Sequence, residues 1–313
     1  MAARVLRDRG RKVRLIEKAR GVGGRLATRR LGDHTADLGA QFFTAHDSQF
    51  RALVRDWVEA GVARQWSTGF HAPDGTFRDN GVPRYRGNGG MASIAKHLAE
   101  GLDVRLQAKA VRAEAAESGW KVSMEDGSVH TARALLLTAP VPQSLALLQE
   151  GHVTIPDPAG SDLAQIDYAP CLTLLATLTS PSQIPEPGGL WMSGEPLLWM
   201  ADNVLKGVSA TSTPVVTLHA GQEFSRDHWE TPEPEVTAMM LAAAKPWLGS
   251  PVATTYLHRW RYSVPLRVHP EPFVVVRAPA PLGFAGDAFG GPRVEAAALS
   301  GHAAGAALAE VLT

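Results

Sequence analysis

The chain has 313 residues, in which 31 Lys and Arg balance 31 Asp and Glu. The length suits about two domains, and the even charge removes the electrostatic case for a nucleic-acid or anionic-membrane partner. The single cysteine, Cys171, excludes an internal disulfide and fits a reducing cytoplasm. No run reaches the roughly 18 apolar residues of a membrane span, and the charged start is unlike a secretory signal.

The first predicted element is a helix over Ala2 to Arg9 with Gly10 at its C-cap, followed by a strand Lys12-Val13-Arg14-Leu15-Ile16 that closes on Glu17. A helix, then an apolar strand ending on a carboxylate, reads as the second half of a dinucleotide-binding βαβ unit. In that unit the acid holds the adenosine ribose about 20 residues after a glycine-rich phosphate loop. Counting back from Glu17 lands before Met1, so the expected fold lacks its first strand and phosphate loop. The next segment, Gly21-Val22-Gly23-Gly24-Arg25, sets glycines beside an arginine. Glycine lets backbone approach a phosphate closely, and arginine offers it planar paired donors.

Beyond Asp37-Leu38-Gly39-Ala40-Gln41-Phe42-Phe43-Thr44, an amphipathic helix is predicted over Asp47 to Gly61, with Phe50, Leu53, Val54, Trp57 and Val58 on one face. Gly69 to Tyr85 reads as a hairpin turning at Pro73-Asp74-Gly75-Thr76. A helix over Met91 to Glu100 and a strand Val104-Arg105-Leu106 follow. A meander comes next, through Ala110-Val111-Arg112 and Trp120 to Met124. The apolar run Ala134 to Thr138 fits a strand buried in a parallel sheet.

From about Gly151 to Arg267 the character changes: most of the prolines and five of the eight tryptophans lie here. Leu172 to Leu178 and Val215 to His219 read as antiparallel strands, and Glu233 to Trp247 as a helix. Cys171 is expected to pack rather than react. His258-Arg259-Trp260-Arg261-Tyr262 reads either as a strand alternating core aromatics with solvated arginines or as an aromatic border to a cavity. The chain returns through Phe273 to Val276 to a strand ending Gly286-Asp287. A Gly-Gly-Pro loop then precedes a helix over Val294 to Val311, with Pro292 suited to its start. Amide groups there suit an anionic ring or phosphate, and Asp287 suits sugar hydroxyls. Gly301 and Gly305 are expected to pack closely on the sheet. The histidines show no ligand spacing, so no metal is expected, and no serine-hydrolase elbow is present.

Taken together, Glu17, Gly23-Gly24-Arg25, Gly39 to Thr44, Arg84 to Met91, Thr138 to Gln143, His258 to Tyr262 and Gly286-Asp287 resemble the flavin-containing amine oxidase superfamily, and within it the renalase-like oxidases. The resemblance runs from end to end. It implies an α/β fold: a discontinuous FAD-binding Rossmann-type, glutathione-reductase-like domain over 1–45, 86–150 and 268–313, and an antiparallel-sheet α+β substrate domain over 46–85 and 151–267. It also implies a cytoplasmic FAD-dependent oxidoreductase whose partners are a small-molecule substrate and O2, with no nucleic acid and no membrane. The renalase-like reaction takes hydride from 2- or 6-dihydronicotinamide isomers of NAD(P) and reduces O2 to H2O2. An amine or apolar substrate, and a flavin-poor non-catalytic protein, are the alternatives.

The cofactor-binding residues so implied are Glu17, Gly23, Gly24, Arg25, Gln41, Val111, Gly286, Asp287, Val294, Glu295 and Ala296. Catalytic residues are unknown, since the flavin carries the chemistry; the candidates to line its cavity are Gln41, His258, Trp260 and Tyr262. Glu17 favours an adenine nucleotide without a 2′-phosphate, as FAD is.

Overall fold

The computed structural model of the protein describes residues 1–192, 194–211 and 214–312. Its internal contacts divide the chain into two compact units, one of residues 1–22, 98–168 and 264–313, the other of 23–97 and 169–263. Residues 23–45 and 86–97 therefore group with the second unit, and 151–168 and 264–267 with the first.

In the first unit, the helix Ala2–Asp8 ends as glycine chemistry requires. Gly10 takes φ +74°, its amide reaches the Arg7 carbonyl, and the Arg11 amide reaches Leu6. Those two bonds satisfy carbonyls that the last turn would leave open. Arg14–Ile16 then pairs in parallel with Asp103–Arg105, Leu15 facing Val104. A separate three-stranded sheet sets Leu135–Leu137 parallel to Leu282–Phe284, with Val274–Val276 antiparallel on its other side. Leu135 and Leu136 are only partly buried, so the expected two-sided burial holds for Leu137 alone. The meander Ala110–Ala116, Gly119–Met124 and Val129–Ala132 completes the unit. Its core gathers Trp120, Met124, Leu148, Leu163, Leu282, Phe284 and Phe289. Trp120 is buried with its indole N–H satisfied by the Pro281 carbonyl at 2.8 Å, which avoids the cost of an unpaired donor.

The final helix, Val294–Val311, shows why Gly301 and Gly305 are small. A Cβ on Gly305 would lie 2.8 Å from the backbone of Ala2, and one on Gly301 would lie 3.4 Å from Met1. Close approach is thus to the first helix rather than to the sheet. Pro292 sits one residue before the N-cap, Arg293, rather than inside the first turn.

The second unit is built on a seven-stranded sheet. Its order is Val252–Pro265, Tyr168–Leu178, Val215–Ala220, Leu197–Asp202, Gly189–Trp191, Ala63–His71 and Phe77–Gly87. The hairpin turns at Ala72 to Thr76, where Gly75 adopts φ +82° and Asp74 accepts the Thr76 amide. Helix Glu233–Leu248 supplies Val236, Met240, Ala244 and Leu248 to a core with Leu172, Leu174, Leu218 and Leu257. The helix Ser48–Glu59 is capped by Asp47, whose carboxylate accepts the Gln49 and Phe50 amides at 2.8 and 3.1 Å. It buries Phe50, Val54 and Trp57, whereas Val58 is exposed because it falls past the edge of the apolar stripe. Cys171 lies in a strand beside Thr173 and the Ala220 carbonyl; burial pushes its thiol up to about 11, away from nucleophilic use.

Candidate functional site

Within the first unit, the strand Leu282–Phe284 runs out at Ala285, whose amide bonds the Leu137 carbonyl. The chain then turns at Gly286, with φ +144° and its amide on Ser300 Oγ at 2.9 Å. A Cβ there would meet only the Thr138 carbonyl at 3.9 Å, so the space beside Gly286 is open. Asp287 follows in the same turn, partly exposed. The 18-residue helix begins at Val294 with no side-chain cap on its first turn, and Glu295 and Ala296 are buried there. Gly286, Asp287 and residues 294–296 are thus gathered at one strand end, where open α/β sheets place ligands.

Glu17 stands at the carboxyl end of the other parallel pair. Its backbone bonds Arg105 and Ala108 at 2.9 Å each, and its carboxylate accepts the Ala19 amide at 2.8 Å. The second carboxylate oxygen is left for other donors. Val111 is exposed on the first meander strand. A carboxylate at a strand end, an uncapped helix start and an open glycine are donors and acceptors that suit a sugar chain and an electron-rich ring, and in that respect they fit a flavin nucleotide.

Within the second unit, Gly23 and Gly24 adopt φ +124° and +52° and lead into a short 3-10 turn through Leu26. The Arg25 carbonyl accepts the Ala40 amide at 2.9 Å, and a Cβ at Gly39 would collide with that same oxygen. Arg25 Nη1 donates to the Ser263 carbonyl at 3.0 Å. The glycine-arginine turn, the Gly39-to-Thr44 segment and the end of the strand Val252–Pro265 are therefore fastened together.

That strand, Val252–Pro265, presents different residues on its two faces. Leu257 enters the core, Arg259 donates to the Trp229 and Thr231 carbonyls, and Arg261 lies 5.5 Å from the Trp229 ring. The other face carries Tyr256, His258, Trp260 and Tyr262, all partly buried. His258 and Trp260 meet edge to face with centroids 4.2 Å apart, and the Arg29 guanidinium covers Tyr256 at 3.6 Å. Burial, aided by the Arg29 charge, holds the His258 imidazole below its usual 6.5, so it is neutral at pH 7. Trp260 Nε1 is buried and has no acceptor among the described residues. The alternation is real: Tyr256 and Trp260 pack against the buried Ala36, Leu38, Leu175 and Val215, as core aromatics do, while Arg259 is bonded rather than solvated.

Gln41 is buried, and its amide is engaged within the unit. Nε2 donates to the Asp37 and Gly39 carbonyls at 2.9 and 3.0 Å, while Oε1 accepts from Lys206 Nζ at 3.0 Å. Sequence reasoning missed Lys206 and gave Asp37 no role. Asp37 Oδ1 accepts from Thr28 Oγ1 at 2.6 Å and from the Met91 amide at 2.7 Å. Thr28 Oγ1 accepts the Ala92 amide, and Asn203 Oδ1 accepts the Asp37 amide. Thr217 and His219 reach the Asp37 and Leu38 carbonyls. Burial drives the Lys206 ammonium below its ordinary value while Asp37 opposes the shift. The same burial lowers His219 to about 4. The signal in the sequence was a polar Asp202-Asn203 pair with Lys206 directly after an apolar strand, which reads equally well as a surface turn.

These features define a flavin-nucleotide oxidoreductase fold, and comparison with known proteins agrees. The sequence matches the family described as flavin containing amine oxidoreductase over residues 1–82 and 57–309, and the chain belongs to that family. It is accordingly an FAD-dependent oxidoreductase. It is similar to renalase of Mus musculus, 24% identical over 264 residues that span 80% of this chain and 76% of the relative. Among solved structures it is similar to cyclohexylamine oxidase from Brevibacterium oxydans IH-35A, with TM-score 0.74 at 14% identity over 99% of this chain and 96% of that one. Wild-type putrescine oxidase bound to putrescine superposes with TM-score 0.71 at 15% identity, over 98% and 95% of the two chains. Among the described residues no helix is long and apolar enough to cross a membrane.

Proposed function

We propose that the chain is an oxidase of dihydronicotinamide nucleotides, taking hydride from the 2- or 6-dihydro isomers of NAD(P) while O2 gains two electrons and two protons to become hydrogen peroxide. FAD, when bound, supplies the hydride acceptor and the route to O2. The dihydropyridine aromatises as hydride leaves, so no side chain has to remove a proton from carbon. One observation carries the reading: the partly buried row of His258, Trp260 and Tyr262 beside the Arg29-covered Tyr256, in which burial lowers the imidazole from its ordinary value. Flat apolar rings suit a flat substrate, and a neutral imidazole does not repel the nicotinamide cation that forms. The orphaned Trp260 indole N–H suits the carboxamide oxygen of that ring.

In this reading Glu17 accepts hydrogen bonds from the adenosine ribose, and Gly23, Gly24 and Arg25 let backbone and guanidinium approach phosphate. Asp287 bonds the ribityl chain. The amide groups of Val294, Glu295 and Ala296 favour negative charge at the pyrimidine edge of the ring. Gln41, held by Lys206 and two carbonyls, positions the Gly39-to-Thr44 segment rather than reacting, and Val111 contributes apolar contact.

The test is anaerobic mixing of the FAD-loaded chain with 2- and 6-dihydronicotinamide isomers. The flavin should bleach, air should recolour it, and peroxide should appear in equal amount to substrate. Ordinary 4-dihydro NADH should react far more slowly, since orientation at the reacting atoms is worth several kcal/mol of barrier. Bleaching by primary amines but not by the isomers would overturn the proposal in favour of amine oxidation.

A further inference from the structure

A concave feature lies in the sheet unit, on the hairpin Ala63–His71 and Phe77–Gly87, and includes Arg84, the first residue of the Arg84-to-Met91 motif. It is a cleft of about 460 Å³ lined by Arg78, Asp79, Asn80, Arg84, Trp191 and Met192. One lining residue, Trp191, belongs to an aromatic cluster. Phe42 lies 5.3 Å from Phe70, 5.8 Å from Trp199 and 6.1 Å from Trp191, centroid to centroid. Phe42 follows Gln41 directly, so the cluster that Trp191 joins includes the segment tied to Lys206.

Arg84 is the unusual member. It is only 9% exposed, and its guanidinium lies 5.5 Å and 5.8 Å from the Phe70 and Phe42 rings. Nη1 donates to the Thr68 and Val82 carbonyls and to Asn80 Oδ1, while Nε is buried with no acceptor among the described residues. Burial lowers the Arg84 guanidinium from its ordinary value and the Asp79 carboxylate opposes that shift, so an anionic oxygen near it is favoured. Arg78 is exposed and forms no ion pair among the described residues. Among the described residues lining the cleft Asp79 is the carboxylate, and its Oδ1 already accepts the Gly81 amide at 2.8 Å. The Asp79 charge acts on Arg84 and the Asp74 charge acts on Arg78, so each guanidinium has one acid near it while the lining itself carries two cations and one anion. Trp191 stands edge-on to Trp199 at 5.0 Å and keeps 38% of its surface exposed, so a flat face is available beside the charges.

We propose that this cleft is a nucleotide subsite, in which Arg78 and Arg84 take the phosphate oxygens and Trp191 with Met192 takes an adjoining flat ring. This rests on the dinucleotide-substrate reading above.

The probe is ADP, titrated calorimetrically into the FAD-loaded chain, with adenosine as the phosphate-free control. Adenosine should bind at least about tenfold more weakly than ADP, because charge-assisted bonds to phosphate are the stronger contacts. Arg78→Ala and Trp191→Ala alter exposed side chains, and each should raise the Kd for ADP about fivefold while melting temperature and FAD content stay unchanged. The same variants should raise KM for the dihydronicotinamide dinucleotide and leave kcat alone. Absence of ADP binding, equal binding of adenosine and ADP, or a Kd unchanged in both variants would each overturn the subsite. If the isomers still bleach the flavin in that event, the oxidase reading survives alone. Conversely, variant-sensitive ADP binding without oxidation of any isomer would retain the subsite and remove the oxidase reading.

Discussion

Lys206 Nζ lies 2.8 Å from the Asp37 carboxylate, and neither side chain has exposed surface. Such a pair is a poor source of net stability, because both charges lose their hydration. Here it fixes position instead. Asp37 ties the start of the helix Ala92–Ala99 through the Met91 amide, and Lys206 ties Gln41. Lys206→Met removes the ion-pair partner of the buried Asp37, leaving Arg86 as a nearby charge, and should destabilise the second unit by up to about 3–5 kcal/mol in urea unfolding. Adding Asp37→Asn keeps an oxygen for Thr28 and Met91 and should restore much of that loss. Equal stability of the two variants would show that the charges are not coupled.

Gly39→Ala should be among the most damaging small substitutions. The new methyl would collide with the Arg25 carbonyl, which accepts the Ala40 amide. Neither partner is a flexible side chain, so the turn carrying Gly23, Gly24 and Arg25 must separate from Gln41. Loss of bound FAD in absorbance spectra, with a drop in melting temperature of several degrees, is the expected outcome.

His219 makes stability depend on pH. Its folded value of about 4 lies below the usual 6.5, so the unfolded chain binds the proton more readily between those limits. Its contribution is therefore full above about pH 6.5 and declines as pH falls towards 4. The total loss is of order 3 kcal/mol. Denaturant unfolding at pH 7, 5.5 and 4 should show a steeper decline for the wild type than for His219→Gln.

Glu17→Ala should weaken FAD binding by roughly 1.5–3 kcal/mol, the range for a hydrogen bond to a charged group. Fluorescence titration of the apoprotein gives the number directly, and unchanged affinity would place the ribose elsewhere.

Gly305→Val tests the packing of the terminal helices. Ala2 backbone lies 2.8 Å from the position of the added Cβ, so the first helix must move. Destabilisation by about 1–3 kcal/mol, with a smaller effect at Gly301, follows from overpacking.

What the amino-acid sequence determined by itself was local and periodic. The apolar 3.6-residue repeat from Phe50 to Val58 marked an amphipathic helix, Asp74-Gly75 marked a hairpin turn, and Gly286-Asp287 before an alanine-rich run marked a strand, turn and helix. Each of these is decided by backbone conformations and contacts within a few residues, which is why the string alone reveals them. The family was legible too, since its motifs are short and contiguous. Only the tertiary structure decided what distant residues do to one another. Lys206 meets Asp37 across 169 positions of chain, and nothing local distinguishes it from a solvated surface lysine. Gly305 is small because Ala2 lies against it, and Arg84 Nε is buried without an acceptor among the described residues beside the Phe42 and Phe70 rings. Burial, desolvation and close approach are properties of the assembled chain: they depend on which surfaces are removed from water together, and no pattern within one segment encodes that.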